Sequence, residues 1–264
     1  MGTDPALVAY ESFAAIYNDF NHANDYETWV GRVLLPEMRR HGLPPKGRAL
    51  DVGCGTGRAF RPLLQRGWRV QGCDLSPEML RLAAEVGKDE VPLTVADMRD
   101  LPHLGDFDLV FSLNDSVNYL LGDRDLVLAL SAMGRNLTRD GLLVFDVNAS
   151  STYASSYFGE RRVENRGSNW LWSGRGEIAP AIFESEISGD RLAAPIRHLE
   201  RFRSESEVRG AMRAAGIETV AALGMSEVAD EILLSTPLDE ERDYKLVFIG
   251  RLARNSEPYR HYLD

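Results

Sequence analysis

From residue 47 onward the chain alternates short apolar runs with amphipathic stretches, the pattern of a parallel sheet wrapped by helices. Buried strands are expected at Arg48 to Val52, Arg69 to Cys73, Leu93 to Ala96, Phe107 to Ser112 and Leu142 to Val147. The segments between them read as helices. One runs from Arg58 to Gln65 and another from Asp123 to Asn136. In "DLSPEMLRLAAEVG", Ser76 suits an N-cap, Pro77 the first helical position, and Gly87 a left-handed closing turn.

Three regions depart from this rhythm. At the start, "ALVAYESFAAIYNDF" places Phe13, Ile16, Tyr17 and Phe20 on one helical face, and Asp25 caps a second helix in "NDYETWVGRVLLPEM". From 149 to 203 the helical period disappears. Three antiparallel strands are expected there, turning at Gly174 to Gly176 and at Gly189-Asp190. The end of the chain offers a capping box, Ser204 with Glu207, on a helix ending at Gly216, then strands at Ile217 to Leu223 and Tyr244 to Leu252. The expected division is therefore residues 1–46 as a helical lid, 47–148 as an α/β core, 149–203 as a β-rich inserted lobe and 204–264 as the completion of the core sheet.

Composition narrows the function classes. With 264 residues, 44% hydrophobic and 27% charged, the chain suits one large globular body. No run reaches the roughly 18 apolar residues that span a bilayer, and the first residues lack a signal-peptide pattern, so a cytoplasmic protein with no membrane partner is expected. A net charge of −10 disfavours a nucleic-acid partner, because the acidic field repels a polyanion. Cys54 and Cys73 cannot form a disulfide framework, and no histidine or cysteine cluster has zinc spacing.

The chemistry concentrates in "ALDVGCGTGRAF", residues 49 to 60. Gly53, Gly55 and Gly57 fall at a strand-to-helix turn, where absent Cβ atoms permit positive φ and close approach of a ligand. A dinucleotide loop needs its third glycine one residue later, where Arg58 stands, which argues against an NAD-type oxidoreductase. No Gly-Lys-Ser or Gly-Lys-Thr follows, so a Walker phosphate loop is excluded as well. Asp51, Asp74 and Asp97 end three successive strands. Such a row of acids suits a nucleoside with a cationic tail.

Taken in order, "LDVGCGTG", "GCDLSPEML", "ADMRDLP", "FDLVFSLNDSVNYL" and "GLLVFDVN" resemble the class I S-adenosylmethionine-dependent methyltransferases. The resemblance covers residues 47 to 148, and the closing "FRSESEVRGAMRAAGIETV" and "DYKLVFIGRL" agree with it. It implies a Rossmann-like, seven-stranded, mostly parallel sheet with the last strand antiparallel. S-adenosylmethionine is the implied cofactor and S-adenosylhomocysteine the product. By the same resemblance Gly53 and Gly55 line the methionine part, Asp51 orients its amino group, Asp74 takes the ribose hydroxyls, Leu75 packs on the adenine and Asp97 binds its amine. The Met98 backbone addresses the adenine ring and Asn114 offers its carbonyl to the methionine ammonium. The opening "IYNDFNHANDYETW" resembles the lid of small-molecule N- and O-methyltransferases, so Tyr17 and Trp29 are implied to close over the sulfonium.

The expected activity is methyl transfer to nitrogen or oxygen of a small molecule, such as a sugar or natural-product intermediate. In-line displacement at a sulfonium needs placement more than proton transfer. A hydroxyl acceptor also needs a base, and His198, His22 and Asp115 are the candidates, with Tyr119 beside the acceptor; His261 lies in the terminal tail. Asp146 and Asn148 resemble the magnesium ligands of catechol-type enzymes, yet a third acid in a matching place is wanting and no metal is expected. A cofactor-binding scaffold without catalysis is the reading outside enzymes. Oligomeric state is left open by the sequence.

Overall fold

The computed structural model describes residues 4–88, 90–228 and 231–254. Five parallel strands carry the core: β1 (Arg48–Val52), β2 (Arg69–Asp74), β3 (Leu93–Val95), β4 (Phe107–Ser112) and β5 (Leu137–Asn148). Three antiparallel strands extend it, β10 (Ile217–Val228), β11 (Glu231–Ser235) and β12 (Lys245–Leu252). The eight-stranded order is β11-β10-β12-β5-β4-β1-β2-β3. One strand beyond the expected seven arises because β10 runs past Leu223 and pairs with β11, Gly224 opposite Ser235. The strand order reverses between β1 and β4, and at such a switch point the carboxyl ends of the strands open a crevice.

Alternation along β1 sends Leu50 and Val52 to one face and Ala49 and Asp51 to the other. The first face packs against helices α6 (Asp125–Gly134) and α8 (Glu205–Ala214) through Leu130, Met133, Val208 and Met212. The second packs against α4 (Arg61–Gln65), a π-helical turn (Glu27–Leu34) and α3 (Leu35–Arg40) through Leu63, Trp29, Leu34 and Met38. Ser76 accepts from the Met79 amide at the start of α5 (Pro77–Gly87), and both halves of the Ser204–Glu207 capping box form. The left-handed cap of α5 is Lys88 at φ 51°, one residue past the expected Gly87, which is still helical and packs under Val91, where a Cβ would lie 2.8 Å from the valine.

The inserted lobe is a separate antiparallel sheet of four strands: β6 (Glu160–Asn165), β7 (Ser168–Ala179), β8 (Ile182–Gly189) and β9 (Ile196–Arg201), entered through α7 (Ser150–Ser156). β6 escapes sequence detection because it is an exposed edge strand of mostly polar residues. The expected turn at Gly174 to Gly176 is instead a bulge inside β7, where Gly176 takes φ 82° beneath the Phe158 ring. The chain turns at Pro180-Ala181, Ala181 taking φ 59°.

The lid begins as α1 (Pro5–Phe13), breaks, and resumes as α2 (Tyr17–Phe20). Despite the break Phe13, Ile16, Tyr17 and Phe20 are all buried, packed with Trp170, Ile187 and Ile196 of the lobe sheet. Asp25 accepts from the Thr28 amide at 3.1 Å and from its hydroxyl at 2.7 Å, fixing the start of the following helix. Lid and lobe thus share one apolar cluster above the carboxyl edge of the core. No helix among the described residues is long and apolar enough to cross a membrane.

Candidate active site

The loop after β1 is fastened to β2. The Gly53 and Cys54 amides both donate to the Cys73 carbonyl, at 2.8 and 3.0 Å. Gly55 takes φ 52°, and a Cβ there would project into the cleft, with the Tyr17 hydroxyl at 4.0 Å as its nearest neighbour. This is a cradle for a ligand. Gly57 serves packing instead, since a Cβ on it would lie 2.5 Å from the Phe60 ring.

Asp74, at the end of β2, holds two loops at once: Oδ2 accepts the Gly55 amide at 2.8 Å and Oδ1 the Ser76 amide at 2.9 Å. Burial raises its pKa while those amides pull it down. Asp97 is committed differently. Burial works to raise its pKa, but Arg99 lowers it overall, with Nε at 2.9 Å from Oδ1 and Nη2 at 2.5 Å from Oδ2. The same Nη2 lies 2.5 Å from Asp4 at the start of the lid.

The lid is clasped from below by the glycine loop. Arg58 donates to the Asn21 carbonyl at 2.8 Å and the Asn24 carbonyl at 2.6 Å, and its guanidinium lies 5.1 Å from the centre of the Tyr26 ring. Thr56 Oγ1 donates to Asn18 Oδ1 at 2.8 Å. The residue that broke the dinucleotide pattern is therefore the residue that holds the lid.

Past β4 the backbone takes two consecutive left-handed residues, Asn114 at φ 63° and Asp115 at φ 56°. Such residues cost roughly 1–2 kcal/mol each. Asp146 on β5 offsets this, accepting the Asn114 amide at 2.6 Å and the Asp115 amide at 2.9 Å. Lys245 joins them, donating to Asp146 Oδ2 at 2.8 Å and to Asp115 Oδ1. Burial raises the Asp115 pKa and Lys245 opposes that rise. Asn148, for its part, donates to Glu200 Oε2 at 2.8 Å. Among the described residues no group of three or more His, Cys, Asp or Glu is arranged to hold a metal.

One cleft runs along this edge. Gly53, Gly55, Asp74, Leu75, Asp97 and Met98 line it, and Asn114, Tyr119 and the lid residue Tyr17 complete its wall. Three residues singled out by sequence are placed elsewhere. Trp29 is in the core against Tyr26, ring centres 5.9 Å apart, and it is Tyr26 that faces the cleft. Asp51 is buried one step beneath the glycine loop. His198 sits on the inner face of the lobe sheet, behind the cleft residues Tyr119, whose hydroxyl is 3.0 Å from Nδ1, and Tyr10, whose ring meets its ring edge-on. Burial pushes the His198 pKa down to about 4, so the ring is neutral and a weak base. His22 is exposed, its Nδ1 2.9 Å from the Asp19 carbonyl, and His261 lies outside the described residues.

Sequence reasoning missed Tyr10, Tyr26, Arg58 and Glu200. Tyr10 was within reach, because it shares a helical face with Phe13 and Tyr17. Glu200 was not. It is two residues from His198 on β9, buried, bonded to Asn148 and to the Tyr153 hydroxyl at 3.2 Å, and burial pushes its carboxyl up to about 7.

Both Asp51 carboxylate oxygens are buried without a hydrogen-bond partner, and burial, then the nearby Asp74 charge, raise the pKa. A cation beside that carboxylate would relieve it. The Gly55 cradle, the acids of β2 and β3 and this orphaned carboxylate suit S-adenosylmethionine, which joins a nucleoside to a cationic amino-acid end.

Comparison with known proteins agrees. A methyltransferase domain family matches residues 49–141. A Geobacillus sp. protein carrying a methyltransferase name is 32% identical over 187 residues, covering 69% of this chain and 74% of that one. A Bacillus subtilis protein of similar name is 34% identical over 151 residues, 56% of this chain, and the match spans only 59% of its length. The dTDP-3-amino-3,6-dideoxy-α-D-glucopyranose N,N-dimethyltransferase of Streptomyces fradiae is 35% identical over 113 residues, 43% of this chain and 44% of that one. In structure, an S-adenosylmethionine-dependent methyltransferase from Clostridium acetobutylicum shares the fold, with TM-score 0.75 at 21% identity over 92% of this chain and 99% of that one. With these matches joined to a cleft built for a sulfonium nucleoside, the chain belongs to the class I S-adenosylmethionine-dependent methyltransferases.

Proposed function

We propose that this methyltransferase acts on the neutral amine of a small, hydroxyl-bearing acceptor of the amino-sugar type. The cofactor, when bound, supplies a methyl group on a positively charged sulfur and leaves as S-adenosylhomocysteine. The residues of this chain bind, orient and exclude water. Asp74 would take the ribose hydroxyls, Leu75 would cover the adenine, and Asp97 and the Met98 backbone would read its edge. Gly53 and Gly55 would let the methionine part lie against the backbone, with the Asn114 carbonyl facing its ammonium and the Asp51 carboxyl one step beneath the loop. Tyr17 would close the lid over the reacting atoms, leaving the acceptor to be held at roughly 3–3.5 Å in line with the methyl carbon.

One observation carries the choice of nitrogen. Where the lid and the β4 loop meet over the cleft, the wall is Tyr10, Tyr17, Tyr26 and Tyr119. Burial raises the pKa of all four, that of Tyr26 to about 12. These phenols stay protonated near neutral pH, and His198 behind them is a weak base. An alcohol must lose its proton to attack, whereas an amine needs only to arrive neutral. The amino sugar in the name of the Streptomyces fradiae relative supports the same choice.

The test is turnover with matched acceptors. Pure protein and S-adenosylmethionine are incubated with 3-amino-3-deoxyglucose and with glucose, and S-adenosylhomocysteine is quantified. Product with the amine alone is expected; product with the alcohol alone would overturn the choice of nitrogen. Cofactor binding without turnover on any amine would favour a scaffold, and calorimetric binding of NADH in place of S-adenosylmethionine an oxidoreductase.

A further inference from the structure

Three buried polar atoms on the lobe sheet have no hydrogen-bond partner: Trp172 Nε1, Ser185 Oγ and His198 Nε2. They belong together by register. Ser185 on β8 stands directly opposite His198 on β9, and Gly174 on β7 stands opposite Ser185. Trp172, two residues before Gly174, therefore shares their face. Its ring stacks on the His198 ring with centres 6.2 Å apart and planes 28° from parallel. Tyr119, which lines the cofactor cleft, is bonded to the other His198 nitrogen, and the Tyr10 ring meets the His198 ring edge-on at 5.8 Å.

An unsatisfied buried donor or acceptor costs about 1–3 kcal/mol, and folded proteins leave few of them. Three on adjacent strands, facing one way and one residue removed from the cofactor cleft, mark groups awaiting a ligand. Their chemistry says which. With the Tyr119 hydroxyl donating to Nδ1, the neutral His198 ring carries its proton on Nε2, so the face offers two N–H donors and one hydroxyl beside a broad aromatic surface. Oxygen lone pairs on a saturated ring fit that set; an ammonium, which only donates, does not.

We propose that Trp172, Ser185 and His198 form the acceptor recess, binding the ring oxygens of a hydroxylated amine, with Tyr10 and Tyr119 as the wall between this recess and the methyl donor. The recess rests on the methyltransferase assignment and adds to it the residues that choose the acceptor. With its ring held there, the acceptor presents its amine to the cleft past the Tyr10 and Tyr119 rings.

The test uses the full chain saturated with S-adenosylhomocysteine. The 2-, 3- and 4-amino-deoxyglucoses and cyclohexylamine are titrated calorimetrically into the parent, Ser185→Ala and Trp172→Phe. At least one amino sugar should bind about ten-fold more tightly than cyclohexylamine, and each variant should lose most of that preference, since one hydrogen bond accounts for about that ratio. Affinity for S-adenosylhomocysteine should not move. Ser185→Ala removes a polar atom that has no partner in the free protein, so its melting temperature should equal or exceed that of the parent; a hydroxyl satisfied by a trapped water would lower it. Absence of any sugar preference, a preference untouched by both variants, or a lowered melting temperature in Ser185→Ala overturns the recess. Failure of S-adenosylhomocysteine to bind at all would strike the methyltransferase assignment instead, so the two failures are told apart.

Discussion

The carboxyl edge of β1 to β4 and the inner face of the β6–β9 sheet treat their polar groups in opposite ways. Along the core edge, Asp74 accepts the Gly55 and Ser76 amides and Asp146 those of Asn114 and Asp115, while Asp97 pairs with Arg99. On the lobe face, polar side chains meet partners remote in sequence, as Glu200 meets Asn148 and Tyr153, or meet none, as with Ser185. The first arrangement holds a ligand common to many relatives, because backbone amides shape it. The second is made of side chains, and side chains set what is peculiar to one acceptor.

Asp74 puts the first half of this contrast at greatest risk. Asp74→Ala removes two charge-assisted bonds to backbone as well as the proposed ribose contact, and calorimetry should show S-adenosylhomocysteine affinity falling on the order of 1,000-fold, about 4 kcal/mol. A change under about threefold would mean the edge is not held as described.

The second half is tested by pH. Burial lifts the Glu200 carboxyl from its ordinary value to about 7, so the folded chain holds it protonated while the unfolded chain ionises it at lower pH. The associated stability is complete in acid and is lost as pH rises through about 7. Urea unfolding at pH 5 and pH 8 should show the parent losing about 2–3 kcal/mol relative to Glu200→Gln over that interval. Equal pH dependence in both proteins would show that Glu200 is ionised in the fold.

Tyr119→Phe joins the two regions, since it breaks the bond between the cleft wall and His198. A loss of about 1 kcal/mol in unfolding free energy is expected, with S-adenosylhomocysteine affinity within about twofold of the parent. The smallest effect belongs to Arg58→Ala, which loosens the lid without touching the core acids. It should weaken S-adenosylhomocysteine about threefold in calorimetry and lower stability by under about 1 kcal/mol, because its two bonds are partly solvated.

The contrast also explains what could be read from the chain alone. β1 and β4 fall at their expected bounds because buried parallel strands are unbroken apolar runs, and Ser76 and Ser204 cap helices because capping needs only residues within one turn. The lid role that the resemblance implied for Trp29 falls to Tyr26, because Trp29 sits in the π-helical segment that packs into the core. β6 and the bulge at Gly174 to Gly176 were hidden because an exposed edge and an extra residue leave no period to find.

The sequence by itself determined the parallel core, the glycine turn and the row of acids at its edge, because each follows from residues a few positions apart whose backbone and spacing admit one arrangement. Only the tertiary structure decided that Arg58 clasps the lid, that Asp146 supports the Asn114 loop, and that Trp172, Ser185 and His198 share one buried face beside Tyr119. Those depend on register between strands and on packing of segments more than thirty residues apart, which no local pattern encodes.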